Sequence, residues 1–427
     1  MPRITAHRVR LALIVLACAT SAYKLSHLPS PAGFQMPSIA TTRNTAVMTT
    51  GFVSTAQNVA THAASLIELN GGRVRAFWFV GSREGAEDVE ICSAVFDGKQ
   101  WGEERSVIDR EHTQQALLRY VKKLGNPVAA RAPDGTIWLY YVTVSLGGWA
   151  GSSLTTMSSR DEGETWSAPR RLITSPFLNI STLVKGAPFA YSDDTIGLPV
   201  YHEFLGKFGE LLRLSNDGTV LDKQRLSSGK SSIQPVVLVE NPKQALVLMR
   251  YTGAPTMRVI ATHTNDAGQH WGAPIKTGLP NPDAAVSGVV LPDGRMLVVA
   301  NDLEQGRDAL SLLASSDNGG TWQKIYQLED QRARPTAPDD FLRSTAQLAL
   351  GTDKHIADAN AYARSAQRNK CEGGHCGYEF SYPYLIQTHN GDFHLAYTWN
   401  RSFIKHVQFN LAWLDARMKE SDHDAPH

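Results

Sequence analysis

Neither sign of charge dominates this 427-residue chain: 42 Lys and Arg stand against 41 Asp and Glu, a formal net charge of +1. That balance removes the sequence-wide case for nucleic-acid binding, which carries a basic excess. Cysteine is scarce, with four in all, so the fold is not a disulfide scaffold; a chain of this length closes a hydrophobic core without one. Long apolar runs are missing too. The run Leu11–Ala17 falls far short of the ~20 residues needed to cross a bilayer. No Gly-rich phosphate loop and no nucleotide or flavin pattern occurs, so no cofactor is called for. Turn formers and aromatics are plentiful: 34 Gly, 21 Pro and nine Trp. That mixture points to many short strands pinned by aromatics and excludes disorder over most of the chain.

Met1–Arg10 carries Arg3, His7, Arg8 and Arg10 and no acid, and the apolar run leads into Cys18 and small residues up to Ala22. A basic head, a short apolar stretch and a small-residue exit describe an export signal over 1–22. Cys18 behind Val15-Leu16-Ala17 also fits a lipoprotein box, which would leave a lipid anchor on that cysteine. Cleavage after Ala19 or Ala22, or an uncleaved anchor, are the alternatives. The expected location is therefore periplasmic, extracellular or membrane-anchored. Residues 23–55, rich in Ser, Thr, Pro and Ala, read as a tether, 56–415 as the folded unit and 416–427 as a polar tail. In an oxidising compartment Cys371 and Cys376, which enclose Glu-Gly-Gly-His, are expected to form a local disulfide. Cys371, His375 and Cys376 lack a fourth ligand for a zinc site, and no metal is expected. Cys92, inside an apolar strand, reads as a small buried hydrophobe.

An internal repeat organises the folded unit. Ser159-Arg-Asp-Glu-Gly-Glu-Thr-Trp166 recurs as Thr264-Asn-Asp-Ala-Gly-Gln-His-Trp271 and as Ser315-Ser-Asp-Asn-Gly-Gly-Thr-Trp322, with a worn copy at Ser215–Thr219. The aspartates 161, 217, 266 and 317 are spaced by 56, 49 and 51 positions, the size of a four-stranded propeller blade. Asp and Gly close a tight hairpin, the hydroxyl and carboxylate bond loop N–H groups, and the Trp packs beneath. These aspartates are therefore expected to be structural, and the three tryptophans buried. A second signal, a turn followed by an alternating apolar strand, opens at Asn70, Asp134, Asp193, Asn241, Asp293 and Asn390. Six units fit six blades, all-β, with an inserted excursion over 330–378 in the last, where His355–Arg368 reads as a short helix.

These Ser/Thr-x-Asp-x-Gly-x-Thr-Trp copies resemble Asp-box (BNR) repeats, and residues 56–415 resemble the six-bladed sialidase (neuraminidase) superfamily. The likeness is strongest to bacterial proteins described as predicted neuraminidases, through Trp78-Phe-Val-Gly-Ser-Arg-Glu-Gly85, Gly125-Asn-Pro127 and Ser381-Tyr-Pro-Tyr-Leu-Ile-Gln387. The resemblance implies an exported exo-glycosidase that hydrolyses a terminal acidic sugar of a glycan. Three arginines would hold the substrate carboxylate, a Tyr activated by a Glu would be the nucleophile and an Asp the acid/base. Guanidinium forks match a carboxylate, and a neutral Tyr is not repelled by that anion. On these motifs Tyr382 stands as the nucleophile, with a packing aromatic as the plain alternative. Arg83 and Arg250 stand as triad arginines, and Asp88, with Glu84, in the acid/base loop.

Two positions depart from the pattern. His62 stands where the first triad arginine belongs, and an imidazole cannot make the bidentate fork. Gln234, sixteen residues before Arg250, stands where the activating Glu belongs, and an amide cannot take the proton. Glu203 or Glu379 is expected to supply the lost carboxylate near Tyr382, while His202, Arg307, Asn126, Asn301, Lys405 and His406 are candidates for the same mouth. The departures leave two further readings: a hydrolase or lyase for uronic-acid-containing exopolysaccharide with His62 and Tyr382 transferring protons, and a non-catalytic glycan-binding propeller.

Overall fold

Apolar, β-branched runs behind Gly and Asx turns form strands, and the strands assemble into six blades. The computed structural model describes residues 11, 13–16, 32–40 and 44–423, apart from 176, 230, 333, 335 and 336. Cys18, and the lipid anchor expected on it, lies outside the described residues.

Strand β1 (Met48–Phe52) comes first in the chain but joins the last blade. Blade one contains β2 (Ala60–Glu68), β3 (Val74–Gly81), β4 (Glu90–Phe96) and β5 (Arg105–Asp109), followed by helix α1 (Arg110–Leu117). Blade two contains β6 (Lys123–Arg131), β7 (Ile137–Val144), β8 (Ser152–Ser159) and β9 (Arg170–Arg171). In blade three the inner position is shared by the short β10 (Leu183–Val184) and β11 (Phe189–Ala190), which both pair with β12 (Ile196–His202); β13 (Phe208–Leu214) and β14 (Val220–Arg225) complete it. Blade four is β15 (Ser232–Val239), β16 (Ala245–Tyr251), β17 (Arg258–Thr264) and β18 (Ile275–Pro280). Blade five is β19 (Ser287–Val290), β20 (Met296–Ala300), β21 (Ala309–Ser315) and β22 (Gln323–Asp330).

Between blades five and six lie helices α2 (Pro338–Thr352) and α3 (Ala359–Lys370) and a small hairpin of β23 (Cys371–Glu372) and β24 (His375–Cys376), closed by the Cys371–Cys376 disulfide. Two helices thus stand where one short helix was expected. They are packed against the propeller: Phe341, Ala349, Tyr362 and Ala366 are buried in one apolar cluster with Trp399 and Phe403, and the Tyr362 and Phe403 rings stack at 4.2 Å.

Blade six contains β25 (Phe380–Gln387), β26 (Phe393–Trp399) and β27 (Phe403–Phe409), and β1 pairs antiparallel with β27 from Met48↔Phe409 to Phe52↔Lys405. Strand β1 completes the last blade as its outermost strand and covers the edge of β27. This corrects the tether boundary at 55. The folded part reaches further back still, because Phe34 is buried and its ring lies 5.4 Å from those of Phe189 and Tyr191. Helix α4 (Leu411–His423) runs into the stretch expected as a polar tail. Lys405 and His406 lie inside blade six and not at a mouth. Lys405 pairs with buried Glu329 at 2.6 Å, and His406 packs on Phe96 and Trp101.

All the repeated Asp turns join the third and fourth strands of a blade. In the last copy Ser315 Oγ donates to Asp317 Oδ1 at 2.7 Å, and Asp317 accepts from Thr321 N and Oγ1, each at 2.8 Å. The other copies repeat the hydroxyl–Asp bond at 159/161, 215/217 and 264/266. Trp166, Trp271 and Trp322 occupy equivalent positions but are half-buried, not buried. Trp271 and Trp322 cover the glycine of their own turn, Gly268 (φ 84°) and Gly319 (φ 82°), where a Cβ would come within 3.2 and 3.4 Å of the ring. Asp317→Ala, which removes the acceptor of the Ser315 and Thr321 bonds, is expected to lower the denaturation midpoint and to leave any activity unchanged. Denaturant melts paired with an activity assay check this.

His394 and His406 are buried side by side, Nδ1 to Nε2 3.0 Å. Burial lowers both, His394 to about 4. A histidine with a depressed folded pKa stays neutral in the fold and takes a proton when unfolded. Its contribution is therefore complete above its unfolded pKa of about 6.5 and is lost as pH falls towards 4. Unfolding free energy should drop by on the order of 3 kcal/mol across that window. A His394→Gln variant should show a flatter dependence of melting temperature on pH, which calorimetry from pH 4 to 7 would read.

Candidate active site

The inner strands start together at one end of the propeller and finish at the other, neighbours packing around a closed ring (β2 on β6 and β25, β15 on β12 and β19, β19 on β25). At the starting end four of them carry a bulge at the same place: register slips between His62 and Ser65, Gly125 and Val128, Ile233 and Val236, and Ser381 and Tyr384. The bulged residues Ala63, Asn126, Gln234 and Tyr382 have φ between 48° and 57°. Ser181 (φ 61°) and Asp283 (φ 55°) occupy the corresponding positions just ahead of β10 and β19. Such backbone costs about 1–3 kcal/mol per residue and collects at functional sites. In three bulges a proline follows, Pro127, Pro235 and Pro383, which suits a position with no ladder N–H to give. Six bulge-like positions, one per blade, thus ring one mouth.

Tyr382 is at its centre. Gln234 Nε2 donates to Tyr382 Oη at 2.9 Å, and Arg250 Nη1 donates to the same oxygen at 3.3 Å. Arg250 Nη1 also donates to Gln234 Oε1 at 3.2 Å. A guanidinium accepts nothing, so this bond fixes the amide and turns its N–H donors toward Tyr382. Gln234 Nε2 also reaches Tyr201 Oη at 3.4 Å, where Asn126 Nδ2 donates at 3.3 Å. The Tyr382 oxygen receives two donors, and among the described residues no acceptor takes its own proton. His62 lies against its ring, centroids 4.2 Å apart. His62 is 3% exposed and its buried Nδ1 has no partner among the described residues. Burial, aided by Arg401, holds its pKa well below the usual imidazole range, so it is neutral at pH 7.

Cations crowd the same end. Arg250 Nε donates to Asp283 Oδ1 at 2.6 Å; burial opposes its charge, but Tyr382 and Asp283 more than offset it and its pKa is raised. Arg307 Nη2 donates to the Asp283 carbonyl at 2.5 Å, and its Nη1 lies 3.6 Å from Glu379. Arg401 Nε donates to both oxygens of Glu379 at 3.0 Å and pairs with Glu84. Lys370 Nζ donates to Glu379 at 2.9 Å. Burial alone would raise the Glu379 pKa, but Arg401 and Lys370 prevail and hold it well below the carboxylate range. Lys185 is buried beneath, Nζ donating to the Pro383 carbonyl at 3.1 Å and lying 4.8 Å above the Tyr384 ring. Burial lowers its pKa to about 7.

His62, Gln234, Arg250 and Tyr382 are therefore in direct contact, Arg307 is joined to them through Asp283, and Glu84 is joined through Arg401. Other expectations need correcting. Neither Glu379 nor Glu203 hydrogen-bonds the Tyr382 hydroxyl. Glu379 is taken up by cations, and Glu203, at the end of β12, has its pKa raised by burial against the pull of Lys207 and Arg250. Asp88 closes its own loop, both oxygens accepting from Ser82 at 2.9 Å. Arg83 is exposed on that loop, with no side-chain hydrogen bond or ion pair among the described residues. His202 Nε2 accepts from Leu205 N at 3.0 Å, bracing the 203–207 loop. Asn301 Nδ2 bonds the carbonyls of Ala309 and Phe380 and is structural. Sequence reasoning missed Arg401, Lys185, Tyr201 and Asp283. The Xaa-Pro dipeptides within apolar strands marked three of the bulges and could have located the ring. Among the described residues no group of three or more His, Cys, Asp or Glu is placed to hold a metal. A cavity of about 1070 Å³ opens at the opposite end, along the finishing ends of the inner strands and the segment Gln35–Ser38. It is remote from Tyr382.

A six-bladed propeller whose inner-strand bulges gather a tyrosine, an amide and arginines in one mouth defines the sialidase-like class of fold. The chain belongs to the BNR repeat-like domain family, whose model matches residues 72–395. Its fold is similar to that of a Hadza microbial sialidase (TM-score 0.60, 17% identity), covering 82% of this chain and 66% of that one. It is also similar to a protein of unknown function from Dyadobacter fermentans (TM-score 0.61, 14% identity, 85% and 98% covered). A third likeness is to a NanB sialidase from Streptococcus pneumoniae (TM-score 0.57, 11% identity, 91% and 72% covered). At these identities the likeness is one of fold. No curated protein matches the chain in sequence.

Proposed function

We propose that the protein is an exported, glycan-active enzyme that takes an acidic sugar into this mouth and breaks its glycosidic bond there. The observation that carries the reading is the bonding of Tyr382: its oxygen accepts from Gln234 and Arg250 while its own proton has no acceptor among the described residues. A phenol held this way is oriented, polarised and free to act on a substrate. Arg250 and Arg307, drawn together by Asp283, supply the cationic surface a sugar carboxylate needs. In the exo-glycosidase form of this reading the sugar is a sialic acid or a relative. The Cys371–Cys376 disulfide suits an oxidising compartment and so supports export.

One observation favours a second, non-catalytic reading: the amide of Gln234 stands where a proton acceptor would activate the tyrosine. Purified protein incubated with sialosides and with uronate-containing oligosaccharides, product masses being followed, separates the two. Cleavage that disappears in Tyr382→Phe is expected. Binding of an acidic glycan without cleavage would make the mouth a recognition module, and absence of both would overturn the proposal.

A further inference from the structure

The mouth has a proton donor without its usual base. Gln234 is locked by Arg250 so that it gives N–H to Tyr382 and offers it no acceptor. A tyrosine nucleophile must lose its proton before it attacks, and neither an amide nor a guanidinium can take that proton. A tyrosine acting as an acid has the opposite need. It starts protonated and ends as a phenolate, and donors already aimed at its oxygen stabilise the charge as it develops. Gln234 Nε2 and Arg250 Nη1 are such donors, at 2.9 and 3.3 Å. Beside the ring is His62, neutral; its Nδ1 is buried and without a partner among the described residues, which leaves Nε2 as the nitrogen able to meet a substrate. A base that carries no charge of either sign is compatible with a substrate anion.

Resting on the reading of this mouth as an acidic-glycan site, we infer that it cleaves a uronate-containing polysaccharide by β-elimination: Arg250 and Arg307 hold the uronate carboxylate, His62 removes the proton from the adjacent C5, and the Tyr382 hydroxyl protonates the departing O4. Neutralising the carboxylate makes the C5 proton removable, because the negative charge formed there spreads onto that group. The C5–H and C4–O4 bonds break, and a C4=C5 double bond and an O4–H bond form. His62 finishes protonated and Tyr382 finishes as phenolate. Among the described residues His62 makes no hydrogen bond to the Tyr382 oxygen, so one proton relayed from imidazolium to phenolate through solvent resets the site. No water is consumed, and neither an oxidant nor a metal is required. Gln234 then has a defined task. Glutamate at this position would hold the Tyr382 proton in place of stabilising its loss, and would repel the incoming uronate.

The test is turnover of defined oligouronates and sialosides in ¹⁸O-enriched water, with product mass and ultraviolet absorbance recorded. Elimination predicts products whose masses sum to that of the substrate, no ¹⁸O uptake, and the absorbance of an unsaturated uronate. It also predicts that Gln234→Glu loses about 100-fold or more of that activity while melting close to the wild type and keeping its near-ultraviolet dichroism. Saturated products carrying ¹⁸O, or a Gln234→Glu variant that cleaves faster than wild type, would overturn elimination yet leave acidic-glycan cleavage standing. No cleavage of any panel member would overturn both.

Discussion

Tyr382→Phe should lower turnover of the acidic glycan by at least ~100-fold, since a positioned proton donor contributes 10²–10⁴. KM should stay within a few-fold of the wild type, because the carboxylate is held by the arginines and not by the phenol. The variant should fold. Tyr382 is half-buried at a mouth, and losing its oxygen frees one N–H each on Gln234 and Arg250, a cost of about 1 kcal/mol where water can reach. Steady-state kinetics beside a thermal melt reads all three. A few-fold loss would mean that Tyr382 is a packing aromatic and that the chemistry lies elsewhere.

Arg250→Lys should be nearly as damaging, although the charge is kept. One guanidinium here serves Asp283 through Nε and both Gln234 and Tyr382 through Nη1. An ammonium is a point charge and cannot fill these positions in one plane while still facing a carboxylate. The loss of a charge-assisted hydrogen bond to a carboxylate, about 1.5–3 kcal/mol, corresponds to roughly 10–150-fold in kcat/KM. Release of the Gln234 amide adds to this. KM and kcat should both suffer, since the same side chain binds substrate and steadies the phenolate. Arg83→Ala provides the contrast. Exposed, and unpaired among the described residues, it should change kcat/KM by no more than about threefold.

The blades were readable in the sequence because each is announced by short-range chemistry. The Asp317 turn is specified by four neighbours, and the Asn390-Gly391 hairpin by two. Tyr382, Arg250, Gln234 and His62 were reachable because each sits in a stretch with a recognisable pattern. What could not be read depends on which blades meet. Arg401 reaches Glu379 and Glu84 because a loop of blade six leans over blade one, and no local pattern encodes that. Lys185 looks like an ordinary lysine until the Tyr382–Pro383 bulge is found above it. Asp88 and Arg83 could not be placed from sequence for the complementary reason: Ser82, beside Arg83, donates to both carboxylate oxygens of Asp88, a contact that no motif announces. The edge of the fold was missed because β1, separated from β27 by more than three hundred positions, pairs only once the ring closes.

The proposed chemistry depends on this mouth recognising the carboxylate of a sugar. The most direct measurement is a calorimetric titration of the Tyr382→Phe protein, which should bind without cleaving, with an acidic oligosaccharide substrate of the wild-type protein and with its carboxyl-reduced, neutral counterpart. Removing the group that Arg250 and Arg307 face should weaken binding by about 100-fold, the value of one charge-assisted pair. Equal affinity for the acidic and the neutral oligosaccharide would rule out carboxylate recognition by Arg250 and Arg307.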